Sequence, residues 1–271
     1  MQIGVVGLGL IGSSFARAVK KYTNHRVAGH DCNPEILDAA LADKVIDTAD
    51  VEQACASELV FVCLFPEAAV DFILGHSFSH IVCDVCGVKG YVAGRLSGRV
   101  PGYVGVHPMA GREVSGYFSG DADLFMGASL IITADEHTDQ ANVRAIHEFA
   151  PHIGFGRVVV TTPQKHDRVI AYTSQLAHVV SSAYIKSDTA TEYVGFSAGS
   201  FADMTRVARL DPQMWAQLFL ENAGNLAEEI DKLIGHLEDY KKAVAGGDRA
   251  ELLRLLQEGR DRKELMDRLK E

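Results

Sequence analysis

Residues 2–18 read QIGVVGLGLIGSSFARA, and the spacing of three glycines in this stretch decides the fold. QIGVVG (2–7) is a short apolar run of strand character and residues 11–21 have helical character. Gly7, Gly9 and Gly12 stand at the junction as G-x-G-x-x-G. That pattern alone carries little weight. Here it leaves a strand, opens a helix, and is followed 19 residues after Gly12 by Asp31, at the end of a second strand, RVAGHD (26–31). Together these are the full context of a dinucleotide-binding βαβ unit. Gly7 permits the tight turn, Gly9 lets the backbone approach a pyrophosphate, and Gly12 lets helix pack on strand. The N–H groups at the helix start, around Leu10, Ile11 and Gly12, then face the phosphates with the positive end of the helix dipole. Asp31 accepts hydrogen bonds from ribose hydroxyls and repels a 2′-phosphate. Cys32 and Asn33 follow it where an arginine would be needed to welcome that phosphate, so NAD is favoured over NADP.

Working outward, the first half keeps alternating strand and helix. ELVFVCLF (58–65) is a near-continuous apolar run ending at Pro66, as a strand covered on both faces requires. HIVCDV (80–85), YVGVH (103–107) and ASLIIT (128–133) continue the series. Short strands alternating with helices predict an α/β fold with a Rossmann-type, doubly wound parallel sheet. In such sheets ligands sit beyond the carboxyl ends of the strands. FPEA (65–68), DVCGVKG (84–90) and HPMAGRE (107–113) each follow a strand and so line one crevice. His107 then faces the nicotinamide end of a bound cofactor, where an imidazole titrating near neutral pH suits removal of a proton from a carbinol.

The second half is helical. VVVTTPQKHDR runs through Pro163 into a long helix over 165–186, and helices over 213–245 and 249–270 are separated by AGGD, a glycine stop with an aspartate N-cap. The predicted division is a dinucleotide-binding domain over 1–162 and an all-helical substrate-binding and dimerisation domain over 163–271. Leu226, Ile230, Leu233, Leu237, Tyr240 and Val244 recur at alternating four- and three-residue steps, which fits either a seam between two copies or ordinary core. With a helical second domain, a homodimer is the expectation. Ser174, Gln175 and His178 share a helical face with Ala171. Asp203 and Arg206 stand three apart ahead of a D-P helix start and Trp215; an arginine held in place is a good bidentate partner for a carboxylate, and a surface ion pair with Asp203 is the plainer alternative.

Composition excludes several classes. The chain has 271 residues, 47% hydrophobic, with a formal charge of −10, which argues against nucleic acid as a partner. The opening apolar stretch lacks the positive flank of a signal peptide, and no run reaches the roughly 18–20 apolar residues that span a bilayer. No membrane association and a cytoplasmic location are expected. Five cysteines, an odd count set mostly in apolar runs, fit reduced buried thiols. Cys83 and Cys86 form C-x-x-C without a second pair, so neither a metal nor a redox role is assigned.

Taken together, GLGLIG (7–12), DVCGVK (84–89), HPMAGRE (107–113), ADLF (122–125), HDRVIAYTSQLAH (166–178) and DMTRVARLDPQMW (203–215) resemble the prephenate dehydrogenase family of tyrosine biosynthesis, over nearly the whole chain. The resemblance implies NAD-dependent oxidative decarboxylation of a cyclohexadiene: prephenate to 4-hydroxyphenylpyruvate, or alternatively arogenate to tyrosine, by an arogenate or dual-specificity cyclohexadienyl dehydrogenase. By similarity, His107 takes the proton of the C4 hydroxyl, His178 is a second histidine on the substrate side, and Arg206 holds a substrate carboxylate. Trp215 lies near the pocket, on this reading lent by a partner subunit. Two positions depart from the family pattern. Gly87 stands where many members have a serine that helps orient the catalytic histidine, and Gln175 stands where many have a histidine. Both are counted with the substrate side of the site.

Two rivals share the nucleotide loop. A β-hydroxyacid dehydrogenase would show G-x-x-x-K-x-x-N in its second-domain helix, which residues 165–186 and 213–245 lack. A non-catalytic NAD-binding sensor would not need His107, His178 and Arg206 together. Any feedback by tyrosine is expected to act at the active site itself.

Overall fold

The computed structural model describes residues 1–112 and 114–269. Glu113, the last residue of the HPMAGRE stretch, and Lys270 and Glu271 at the end of the last predicted helix lie outside the described residues. The chain forms two compact units, one spanning Met1–Ala223 and one from Gly224 onward.

The first unit opens with β1 (Gln2–Val6), α1 (Leu10–Tyr22), β2 (Arg26–His30), α2 (Pro34–Ala42), α3 (Val51–Cys55), β3 (Leu59–Val62), α4 (Pro66–Gly75), β4 (Ile81–Asp84), α5 (Gly90–Leu96) and β5 (Tyr103–Pro108). It continues through β6 (Ser129–Thr133), α6 (Gln140–Phe149) and β7 (Arg157–Thr161). The seven strands lie in the order β2-β1-β3-β4-β5-β6-β7. Because β2 and β3 flank β1 on opposite sides, the winding reverses at β1, and a crevice opens there beyond the strand ends. The doubly wound α/β architecture expected from the sequence is present.

Direction differs at one place. β5 pairs with β6 antiparallel, in the register Val106 to Ile132 and His107 to Ile131, while β6 and β7 are parallel to each other. Among the described residues of the connection between β5 and β6 there is a short 3-10 turn, Tyr117–Ser119, but no α-helix of the kind that usually carries a parallel crossover, and β6 returns antiparallel.

Aromatic packing fixes the glycine loop to the sheet. Phe15 of α1 stacks on Phe61 of β3 with ring centroids 4.3 Å apart and meets Phe125 at 4.4 Å, and all three rings are buried. The helix that follows the loop is thereby pinned over the centre of the sheet.

The helical half departs from the sequence reading twice. The long helix is α7 (Pro163–Ile170), a π-helical turn (Ala171–Gln175) and α8 (Leu176–Tyr184). The widened turn alters the face expected for 171–178: Ala171 and Gln175 are buried, Ser174 and His178 only partly. The helix expected over 213–245 is two, α10 (Pro212–Glu221) and α11 (Ala223–Ala245), preceded by α9 (Gly199–Thr205) and followed by α12 (Arg249–Arg268). The break falls at Asn222, whose backbone leaves helical geometry and whose buried amide bonds elsewhere. Along α11, Leu226 is buried while Leu237 and Val244 stay exposed in the single chain. Among the described residues no helix is long and apolar enough to cross a membrane.

The glycine loop yields a direct test. A Cβ on Gly12 would drive into the Gly7 carbonyl oxygen. Gly12→Ala is expected to cost about 3 kcal/mol by overpacking, read by urea denaturation.

Candidate active site

The nucleotide loop has the geometry its glycines require. Gly7 has φ +82°, and a Cβ there would meet the Cys63 carbonyl oxygen at 2.6 Å, so only glycine fits. A Cβ on Gly9, by contrast, would meet nothing within 4 Å. The chain leaves open space there, where a pyrophosphate needs close approach to the backbone. Gly9 is the N-cap of α1 and has no capping side chain, which leaves the N–H groups that follow, from Leu10 and Ile11 on, facing that space. Asp31 lies just past β2. One of its oxygens accepts the Leu8 N–H at 2.7 Å, the other the Asn33 N–H at 2.9 Å. The carboxylate is thus tied to the loop with lone pairs left for a ribose. These residues fit a dinucleotide.

His107 lies in β5, at the carboxyl end shared with β4. Its Nδ1 is 2.9 Å from Nε2 of His166, whose Nδ1 is 2.7 Å from Oδ1 of Asp167. Asp167 also accepts the Lys89 N–H on Oδ1 at 2.8 Å and the Gly90 N–H on Oδ2 at 2.7 Å. His107 keeps partial access to solvent, while His166 and Asp167 are buried. Near the ring, Lys89 and Asp84 form an ion pair at 2.5 Å with both side chains 0% exposed. The Lys89 ammonium also donates to the Val106 carbonyl, and Asp84 accepts the Tyr103 hydroxyl at 2.8 Å and the Cys86 N–H at 2.9 Å.

This surrounding sets the protonation of the site. Desolvation holds the His107 imidazole well below its ordinary 6.5, reinforced by the neighbouring His166 and the Lys89 cation. Desolvation also lowers His166, against the raising effect of Asp167. Both rings are therefore neutral at physiological pH, and His107 is equipped to accept a proton. Cys83 and Cys86 are buried thiols that desolvation pushes well above the ordinary range, inert rather than redox-active.

The remaining predicted residues fall around this centre. A Cβ on Gly87 would lie 3.8 Å from His107 Nε2 and 3.7 Å from Leu218 of α10, so position 87 looks straight at the free nitrogen. Gln175 is 2% exposed. It donates to the Leu218 carbonyl at 2.9 Å and accepts from Asn222 at 2.8 Å. The amide placed on the substrate side by sequence reading instead holds α10 against the π turn. One turn further along the same helices, His178 stacks on Trp215 with centroids 3.8 Å apart. Trp215 therefore meets His178 within one chain. His178 donates from Nδ1 to the Ser174 carbonyl at 2.9 Å, which leaves its Nε2 available. Arg206 is exposed at the end of α9, in a short turn packed against α8.

His166, Asp167, Lys89 and Leu218 were not singled out from the sequence. A signal did exist for the first two: they stand four residues before Ile170 and Ala171, so a His–Asp pair occupies the apolar, buried face of α7.

A Rossmann-type nucleotide site in one sheet with a half-buried histidine held in neutral form defines an oxidoreductase that pairs a dinucleotide with a proton acceptor. Comparison with known proteins is more specific. The nucleotide-binding domain of prephenate dehydrogenase matches residues 15–169 and its dimerization domain residues 162–258. A cyclohexadienyl dehydrogenase of Zymomonas mobilis is 35% identical over 91% of this chain and 89% of its own. The fold is similar to that of Synechocystis arogenate dehydrogenase, with a TM-score of 0.83, 27% identity and coverage of 98% of this chain and 100% of that one. It is equally similar to prephenate dehydrogenase from A. aeolicus in complex with hydroxyphenyl propionate and NAD+, with a TM-score of 0.83, 26% identity and 98% of both chains covered. The chain belongs to the prephenate dehydrogenase family, whose members are NAD-dependent oxidoreductases.

Two measurements test the electrostatics. Lys89→Met strands the Asp84 carboxylate without its cation and should destabilise the chain by about 3–5 kcal/mol in urea denaturation. The histidines give stability a pH dependence. Below 6.5 the unfolded chain binds a proton on His107 that the folded chain refuses, so stability falls as pH falls. Wild type should lose about 1 kcal/mol more than His107→Gln between pH 7 and 5.5, by the same method.

Proposed function

We propose that this chain catalyses the NAD-dependent oxidative decarboxylation of prephenate to 4-hydroxyphenylpyruvate, with His107 as the base. The observation that carries this reading is the placement of the His107 ring, with Nδ1 bonded to His166 and Nε2 open beside Gly87. The Gly9 opening and the Asp31 carboxylate hold the cofactor, with the N–H groups at Leu10, Ile11 and Gly12 toward its phosphates. When bound, NAD accepts hydride from the C4 carbinol, while the ring carboxylate leaves as CO2 and the ring becomes aromatic.

The protein's own tasks are then few. His107 Nε2 accepts the C4 hydroxyl proton as that carbon is oxidised, and returns it to the phenolate oxygen once the ring aromatises. The enclosure of the ring, reinforced by His166 and Lys89, keeps His107 unprotonated beforehand. Arg206 holds a substrate carboxylate, and His178, backed by Trp215, faces the same substrate. Gly87 leaves room beside the reacting hydroxyl, and Gln175 sets the position of Leu218 at the same wall. Aromatisation drives the reaction, so positioning and one polarised hydroxyl suffice.

Residues 1–162 serve nucleotide binding and 163–271 serve substrate binding and dimerisation. A homodimer in the cytoplasm is the proposed state, with the exposed Leu237 and Val244 of α11 covered by the second copy. Arogenate, with an amino group in place of the side-chain keto group, is the second reading, favoured by the similarity to Synechocystis arogenate dehydrogenase.

NADH formation with prephenate and with arogenate, in wild type and His107→Asn, tests the proposal. Prephenate turnover that falls by about 10²- to 10⁴-fold in the variant is the expected result. Preference for arogenate would change the substrate and keep the base. No turnover of either would overturn the reading.

A further inference from the structure

We infer that His166 and Asp167 are positioning residues, which fix His107 in the one tautomer that leaves its Nε2 bare toward the crevice. The inference rests on the reading of His107 as the base and adds to it the device that makes it one.

The direction of the chain follows from donor counting. Asp167 accepts two backbone N–H groups, from Lys89 and Gly90, and its Oδ1 lies 2.7 Å from His166 Nδ1. An ionised carboxylate only accepts, so His166 carries its proton on Nδ1. The neutral ring then has only a lone pair on Nε2. At 2.9 Å that lone pair must receive the proton on His107 Nδ1. His107 Nε2 is left as an acceptor. The reverse order would press two lone pairs together between His166 and Asp167 and would put the proton on the nitrogen that has to receive one.

Nothing else does this work. Among the described residues no other side chain bonds the His107 ring, and Gly87, facing Nε2, has none to offer. Burial by itself keeps the ring neutral but does not choose between its two nitrogens. The relay itself is anchored. Asn222 donates from its side chain to the Asp167 carbonyl at 2.9 Å as well as to Gln175, which ties the start of α7 to the end of α10. When His107 gains a proton, its Nδ1–H bond to His166 becomes charge-assisted and offsets the unfavourable nearby Lys89 cation.

The test compares wild type, His166→Phe and His166→Gln, with NAD and whichever of prephenate and arogenate wild type accepts. Glutamine can still accept the His107 Nδ1–H through its Oε1; phenylalanine cannot. His166→Phe is expected to lose on the order of 10²- to 10⁴-fold in kcat, with KM within about threefold of wild type. His166→Gln is expected to regain about tenfold or more over the phenylalanine variant. NADH binding, followed by its fluorescence, should match wild type in both and so reports that the chain is folded. If His166→Phe does not bind NADH, His166→Met takes its place with the same expectation. Retention of kcat in the folded variant, or equal loss in the glutamine and apolar variants, would overturn the inference while leaving His107 as the base. A wild type inactive on both substrates would instead overturn the functional reading, and this inference with it.

Discussion

The Asp167 carboxylate is the contact on which the rest of the site depends. Two backbone N–H groups after β4 and one imidazole of α7 converge on it, so a single buried anion joins the turn between β4 and α5 to the first helix of the second half. Burying a carboxylate is costly unless its lone pairs are filled, and here three donors fill them. Close by lies the Lys89–Asp84 pair, equally enclosed and likewise satisfied on both sides. Such polar groups rarely lower the energy of a core compared with apolar packing. Their placement near the proposed base makes chemical sense of that cost.

A second constraint is the way α8 and α10 lie side by side. Gln175 meets Leu218, and one turn along, running the other way on the partner helix, His178 meets Trp215. The π turn puts Gln175 inward, where its amide is consumed by Leu218 and Asn222, and leaves His178 partly open. Widened turns of this kind recur at functional sites because one extra residue redirects the side chains that follow. The wall opposite His107 is therefore built by the same hydrogen bonds that stop α10 at Asn222.

How far all this can be read in one dimension depends on the residue. The nucleotide loop is legible because each glycine has a geometric reason, and φ +82° at Gly7 and the open space at Gly9 are those reasons realised. The placement of His107 is legible because a strand end in a doubly wound sheet points at the crevice. The reversed β6 is not: its apolar run looks the same in either direction, and only the missing crossover helix marks it. The break at Asn222 is only faintly marked: Gly224 stands two residues on, but the buried amide that ends α10 bonds to residues far back in the chain. Lys89 and the His166–Asp167 pair stand inside motifs that were recognised, yet their partners come from other elements, and a charge near a helix start ordinarily reads as solvated. The apolar residues one turn on are the only local sign that these groups point inward.

The central claim is that neighbours of His107 choose its proton as well as hold its ring. Long-range nitrogen–proton NMR of histidine-labelled protein near pH 7.5, with the His107 signals identified by their loss in His107→Asn, measures this directly. The account predicts a neutral ring with a protonated Nδ1 and an unprotonated Nε2. A ring protonated on Nε2, whether as the other tautomer or as an imidazolium, would contradict it.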